Sequence, residues 1–214
     1  MCLYEHTMKT LKINILLLLI PFSLIGQNVT AIHKDDNSSA PIKTKILTMD
    51  NHLAVIFPKE YEPKFNVEYL ENRFTPDSLI IKHVDKKIEE LYIDATKMYL
   101  KAEWKTLEQN KSYYDWDKLV ENKKEREKKL ISATSKKRKK LAKMDRQYLG
   151  LINSKGERII LVQFIKLKKN DYNLRTSIKD EWIVGCGDWF EENTESYEYV
   201  IDRDKMYLFG WTER

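Results

Sequence analysis

The sequence predicts an α+β domain in which a long amphipathic helix covers an antiparallel sheet. Three observations support this fold class. Apolar residues repeat at helical spacing between positions 81 and 102, a highly charged helical segment follows at about 115–146, and short strand-like runs follow one another from Gln147 onwards. Helices followed by consecutive strands are typical of α+β folds and not of alternating βαβ units.

The first 26 residues have the pattern of a secretory signal peptide. Lys9 and Lys12 precede an almost wholly apolar run at 13–25, and the small residue Gly26 follows it. The run is shorter than the roughly 20 residues that a membrane-spanning helix needs, and a buried core helix is the alternative interpretation. We therefore expect an exported protein, periplasmic or extracellular, without a transmembrane segment in the mature chain. The pattern decides neither the exact cleavage site nor whether Met1 or Met8 is the start.

The remaining chain predicts one domain behind a flexible leader. Residues 27–51 are polar and have little to bury, whereas 52–214 predict a single α+β domain with a basic helical insertion at about 115–146. Within it, the apolar run from His52 to Phe57 predicts the first strand. Removal of residues 1–26 leaves Cys186 without a second cysteine, so no internal disulfide is expected.

A start signal and an apolar stripe predict the long helix. Thr75 can cap the free N–H groups, Pro76 suits the first helical position, and Asp77 favours the positive end of the helix dipole. The pattern ends at about Glu108. A coiled coil is the weaker alternative, because two of the seven stripe residues are alanine and the pattern lasts only about three heptads. The stripe residues are Ile81, Val84, Ile88, Leu91, Ala95, Met98 and Ala102.

The charged segment and the strands complete the prediction. Residues 115–146 predict a polar helix that the stretch 132–135 breaks, with Ser135 as a new cap. A glycine turn at 154–157 joins the first two of the later strands, and residues 168–180 predict a loop. The predicted later strands are Gln147–Asn153, Arg158–Leu167, Glu181–Phe190, Tyr197–Asp202 and Lys205–Trp211.

Three segments together resemble small uncharacterised exported proteins of the Bacteroidota type. They are residues 73–76 at the helix start, the hairpin at 146–160, and the glycine-rich stretch 185–188. The resemblance spans roughly Phe74 to Trp211. It implies a cystatin-like α+β domain, with the long helix on a curved antiparallel sheet of about four to five strands. The family brings no known catalytic residues to carry over.

The densest charge in the chain lies in residues 123–146. Glutamates are interleaved in its first half, but none interrupts the run from Lys136 to Lys140. A solvated helix face is the plainest interpretation. The functional alternative is an anionic surface, either lipid headgroups or a polyanion, and specific nucleic-acid binding is not expected. The candidate anion-binding residues are Lys136, Lys137, Arg138, Lys139 and Lys140.

No pattern in the chain indicates catalysis or a cofactor. The histidines His33, His52 and His83 lie far apart and lack metal-ligand spacing. Cys186 lies between two glycines, but no nucleophile elbow, phosphate loop or dinucleotide motif occurs. The acidic cluster at 188–195 suits a solvated loop, and its weaker alternatives are glycoside hydrolysis or a contact with the basic segment of a second copy. We therefore predict no catalytic, cofactor-binding or metal-binding residues.

These observations lead to two functional hypotheses and a weak third. The first is an exported, non-enzymatic module that binds an unknown protein or small ligand on an exposed, concave sheet face. The second is an anionic-surface binder that acts through residues 123–146. The third, a thiol or hydrolytic enzyme, would need Cys186 exposed beside a base. The residues predicted to line the sheet face are Trp182, Trp189, Tyr199 and Trp211.

Overall fold

The computed structural model describes residues 43–64, 72–185 and 187–208. The predicted signal peptide, most of the leader, Cys186 and Trp211 lie outside these ranges. The described chain is α+β, with one mixed seven-stranded sheet and four α-helices. The strands are β1 (Lys45–Thr48), β2 (Leu53–Phe57), β3 (Arg73–Phe74), β4 (Asp145–Ile152), β5 (Arg158–Ile165), β6 (Thr194–Val200) and β7 (Lys205–Leu208). The helices are α1 (Ser78–Gln109), α2 (Trp116–Leu141), α3 (Tyr172–Asp180) and α4 (Asp188–Asn193).

The sheet has the order β1-β2-β4-β5-β6-β7, and β3 pairs with the far end of β4. It has more strands than the four to five predicted, and it is mixed, because β2 and β4 run parallel. Both long helices lie between these two strands in the chain, and such a long connection allows a parallel return. The remaining pairs are antiparallel. β1 lies within the predicted leader, so the ordered fold begins before residue 52.

Helix α1 confirms the predicted long amphipathic helix. Its cap is Asp77, whose carboxylate accepts hydrogen bonds from the backbone N–H groups of Leu79 and Ile80, each at 2.8 Å. Thr75, the predicted cap, instead accepts a hydrogen bond from the Lys59 N–H. The cap therefore lies two residues later than expected.

The buried stripe of α1 departs from the predicted stripe in its second half. The two stripes share Ile81, Val84, Ile88 and Ala95, but Tyr92 and Tyr99 are buried where Leu91 and Met98 were expected. The prediction used a strict seven-residue repeat, whereas a straight helix has about 3.6 residues per turn and drifts by about 20° per heptad. Because of this drift, Tyr92 and Tyr99 are the residues that face the sheet in the second half of the helix.

Both faces of the sheet are covered. Helix α1 packs on the face that carries Tyr148, Val162 and Tyr199. On the other face, Phe57 packs against Tyr61 and Trp182, with ring centroids 4.4 and 5.8 Å apart. Trp182 and Tyr199 are 6% and 0% exposed, so the predicted open face lined by these aromatics is wrong.

The predicted strand at 181–190 is also wrong. The loop expected before it forms α3, the backbone at 182–185 has no strand pairing, and Gly187 at φ 96° precedes α4. The backbone of this segment forms hydrogen bonds with the side chain of Gln147 and not with a neighbouring strand. The Gln147 side chain donates to the carbonyl groups of Ile178 and Glu181 and accepts from the N–H of Ile183. This amide holds the segment against the sheet face, where Trp182 and Ile183 are buried.

Helix α2 confirms the predicted basic helix, but the break at 132–135 does not occur. Thr134 is buried on the same side as Leu130 and Leu141, so packing continues through the polar stretch. Tertiary contacts of this kind override weak local preferences.

A buried ion pair joins the sheet to both long helices. Arg146 of β4 is fully buried, and its guanidinium binds the carboxylate of Asp85 on α1 and donates to the carbonyl of Leu141 at the end of α2 (3.1 Å). The Tyr148 hydroxyl donates to the same Asp85 oxygen at 2.7 Å, and His52 Nε2 lies 3.2 Å from it. Burial raises the pKa of Asp85, but the His52 bond, the Arg146 charge and the Tyr148 hydroxyl together hold it below the ordinary 3.8.

We expect Asp85→Asn to lower the free energy of unfolding by about 3 kcal/mol near neutral pH, because it removes the nearer and more buried of the two carboxylates that pair with the Arg146 guanidinium. The remaining one, Glu89, is about half exposed and lies 3.7 Å away. Urea denaturation measures this change. Asp94→Asn is the control on the same helix. Asp94 is exposed and pairs with exposed Lys97, so its loss should change stability by less than about 0.5 kcal/mol. Equal effects of the two substitutions would contradict the assigned role of Asp85.

The stabilisation by Asp85 should disappear in acid. Because its folded pKa is lowered, its contribution is complete above the unfolded pKa and is lost as the pH falls through the folded pKa. The difference in unfolding free energy between the wild type and Asp85→Asn should therefore shrink between about pH 5 and pH 2. Urea titrations across this range check the trend, and a difference that grows in acid would show that the sign is wrong.

Candidate functional site

Helix α2 concentrates positive charge on a long exposed surface. It carries eleven basic and four acidic side chains. Its inner side is defined by the buried residues Leu130, Thr134 and Leu141, which recur at helical spacing. Most of its charged side chains therefore lie on the remaining circumference.

Four exposed lysines lie on the outward side of this helix from residue 128 onwards, and we call them the lysine ridge: Lys128, Lys136, Lys139 and Lys140. At about 100° per residue they fall within about a third of the helix circumference, opposite the buried residues. None of the four has an ion pair with another described residue. Beside them, Lys129 is paired with Glu125. The ridge can thus present ammonium groups to an external anionic surface.

The five candidate anion-binding residues do not share one surface. Lys136, Arg138, Lys139 and Lys140 are exposed, whereas Lys137 is half-buried and binds the carboxylate of Glu195. Five consecutive helical positions span more than a full turn, so one of them must face inwards.

Glu195 is the centre of a second polar cluster. The hydroxyl of Tyr92 on α1 and the hydroxyl of Tyr197 on β6 donate to it at 3.0 and 2.6 Å. Burial, and then the charge of Glu195, raise the pKa of both tyrosines, so both remain protonated donors. Lys137 supplies the positive charge that this 13% exposed carboxylate needs. The cluster fixes the rotation of α2 about its axis and so the direction of the ridge.

Two members of the predicted basic segment also lie away from the ridge. Arg146 is fully buried in the ion pair with Asp85, and its predicted place in an exposed anion-binding segment is wrong. Arg126 lies 3.9 Å from Glu103 of α1. Burial raises the pKa of Glu103, and the charge of Arg126 partly opposes that rise.

The distal halves of α1 and α2 form a helical hairpin. None of residues 100–129 is buried, in contrast with the parts of both helices that lie against the sheet. Contacts between the two helices hold the hairpin together, and the rings of Trp104 and Trp116 lie 5.2 Å apart across it. Its surface is therefore accessible from several sides.

The structure does not bring the other candidate residues into one site. His52 belongs to the Asp85 cluster, whereas His83 Nε2 lies 3.2 Å from the hydroxyl of Tyr199. Within the described ranges, no three His, Cys, Asp or Glu side chains are arranged to hold a metal ion. Of the acidic cluster, Glu195 binds Lys137 of its own chain. Among the described helices, none combines the length and apolar character that crossing a bilayer requires.

Comparison with known proteins identifies no relative: no family model, curated protein or solved structure matches the chain. The resemblance to exported Bacteroidota proteins with a cystatin-like domain therefore stays a prediction.

Sequence reasoning missed the role of Lys137. Its signal was present in the spacing, since Leu130, Thr134, Lys137 and Leu141 follow one another at intervals of four, three and four. The spacing alone places Lys137 on the inner side, but only the fold brings Glu195 to meet it.

We expect Lys137→Ala to lower the free energy of unfolding by about 1–2 kcal/mol, because Glu195 keeps its tyrosine donors but loses its counter-charge. Lys136→Ala removes the same charge from an exposed neighbour and should change stability by less than about 0.5 kcal/mol. Thermal or urea denaturation of both variants makes the comparison. A larger effect at Lys136 would contradict the assignment of the inner side.

Proposed function

We propose that this protein is an exported, non-enzymatic binding protein that docks on an anionic membrane surface through the lysine ridge of α2. The observation that carries the proposal is that the four ridge lysines are exposed and have no ion pair with another described residue. Export itself is inferred from the N-terminal pattern at 1–26. The resemblance to exported Bacteroidota proteins with a cystatin-like domain agrees with that destination.

The covered sheet favours the ridge over the sheet face as the binding surface. Two of the four aromatics expected to line an open face, Tyr199 and Trp182, are instead part of the two cores. A ligand on the described sheet would have to displace α1 or the segment around Trp182. The ridge needs no such rearrangement.

The composition of the ridge favours electrostatic docking over insertion. Its four members are lysines, and the exposed residues between Lys128 and Lys136 are Lys129, Ser132 and Ala133. Such a surface has no large apolar group to bury among acyl chains. A basic residue near an anionic bilayer contributes about 1 kcal/mol, so four lysines provide affinity that depends strongly on salt.

The direction of the ridge is set by contacts within the protein. Lys137 with Glu195 and Arg146 with the carbonyl of Leu141 hold the end of α2 on the sheet. The ridge is thus a preorganised surface, and docking does not require the helix to fold first.

Vesicle sedimentation tests the proposal. The full chain is mixed with phosphatidylglycerol-containing vesicles and with pure phosphatidylcholine vesicles at increasing salt. We expect binding to the anionic vesicles only, with affinity that falls steeply between about 50 and 200 mM salt. Changing all four ridge lysines to glutamine should weaken binding by at least about tenfold and flatten the salt dependence.

The matched control changes four exposed lysines outside α2, namely Lys45, Lys59, Lys155 and Lys169, to glutamine. It loses the same net charge but keeps the ridge, so it should bind almost as the unmodified chain does. Equal losses in the two variants would mean that net charge alone drives adsorption. Binding to soluble polyphosphate without binding to anionic vesicles would replace the membrane with a free polyanion.

A further inference from the structure

A groove lies between α1 and α2 on the side of α2 that is turned away from the lysine ridge. Its volume is about 210 Å³. The α2 residues that line it, Lys123, Glu127 and Ile131, recur every four residues and lie roughly opposite the ridge on the helix. The residues that line it from α1 are Lys97, Leu100, Lys101 and Trp104.

The groove has an apolar floor. Leu100 and Trp104 from α1 and Ile131 from α2 supply aliphatic and indole surface. All three side chains are only partly buried, so the floor is accessible to a small molecule. The volume suits a body of one or two aromatic rings.

The rim of the groove carries an excess of positive charge. Lys97 is held by Asp94 at 2.7 Å, but Lys101 and Lys123 have no ion pair among the described residues. Glu127 is the only acid among the lining residues. Two ammonium groups are therefore free to bind an anion, and a neutral or cationic ligand would leave them unused.

The indole of Trp104 is covered by a group that can move. The Lys123 ammonium lies over its ring, 4.1 Å from the centroid. A cation–π contact at an exposed site contributes only about 0.5–1 kcal/mol, and the lysine side chain is flexible. A flat ligand can stack on the face of the indole ring while the Lys123 side chain rotates to bind the anionic group of the ligand.

We propose that this groove binds small aromatic anions, with the ring system against Trp104 and the carboxylate, sulfonate or phosphate between Lys101 and Lys123. Leu100 and Ile131 would close the apolar contact on either side. The inference does not depend on membrane docking, because the groove and the ridge use different residues on different sides of α2.

Fluorescence titration with 8-anilinonaphthalene-1-sulfonate, an aromatic anion, tests the proposal on the full chain. Its neutral analogue N-phenyl-1-naphthylamine has the same ring system without the sulfonate. We expect the anion to bind at least about tenfold more tightly than the neutral analogue, because only the anion uses the two lysines. Equal affinity would overturn the assignment of an anion site.

Charge-reversal variants locate the binding. Lys101→Glu with Lys123→Glu should weaken binding of the anionic probe by at least about tenfold and leave the neutral probe unchanged. The control, Lys86→Glu with Lys118→Glu, makes the same charge change at exposed positions of the same two helices, and it should bind as the unmodified chain does. Equal losses in the two variants would show non-specific adsorption and refute the site.

The lysine-ridge variant separates this proposal from membrane docking. With its four lysines changed to glutamine, the protein should keep its affinity for the aromatic anion but should bind the anionic vesicles much more weakly. If the ridge variant no longer bound the probe and the groove variant still bound it, the ligand site would lie on the ridge and not in the groove.

Discussion

The buried guanidinium of Arg146 is the point at which the sheet and both long helices meet. It binds Asp85 of α1 and the last turn of α2, and the ring of Phe164 on β5 lies 5.1 Å from it. A buried ion is costly unless its partners are in place, so a packing that separated these elements would leave a buried charge without a partner. The pair thus acts against alternative arrangements of the helices as well as stabilising the observed one.

This constraint reaches the surface through α2. Arg146 holds the end of the helix, and Lys137 with Glu195 fixes its rotation one turn earlier. With the inner side determined, the outer side follows from helix geometry, and it carries the lysine ridge. The basic side chains of the helix thus fall into two groups: some stabilise the fold, and the others face outwards.

Local patterns anticipated several elements well. The amphipathic helix ends at Gln109, one residue beyond the expected end, and the β4–β5 hairpin is where the glycine turn placed it. The failures have a common cause. Residues 181–185 have the apolar composition of a strand, and Trp182 and Ile183 are buried. Burial against a sheet face, however, requires the same kind of side chain as pairing within the sheet. The partner that decided between them, Gln147, lies more than thirty residues earlier.

The sequence by itself determined the α+β class, the long helix, the basic helix and the central hairpin, because periodicity and turn residues act over a few neighbouring positions. Tertiary structure alone decided the parallel pairing of β2 with β4, the coverage of both sheet faces, and the division of the basic residues between Arg146 and Lys137 inside and the ridge outside. Those outcomes depend on contacts between residues such as Asp85 and Arg146, which are distant in the chain. No local sequence pattern indicates which charged side chain will form an ion pair in the folded chain.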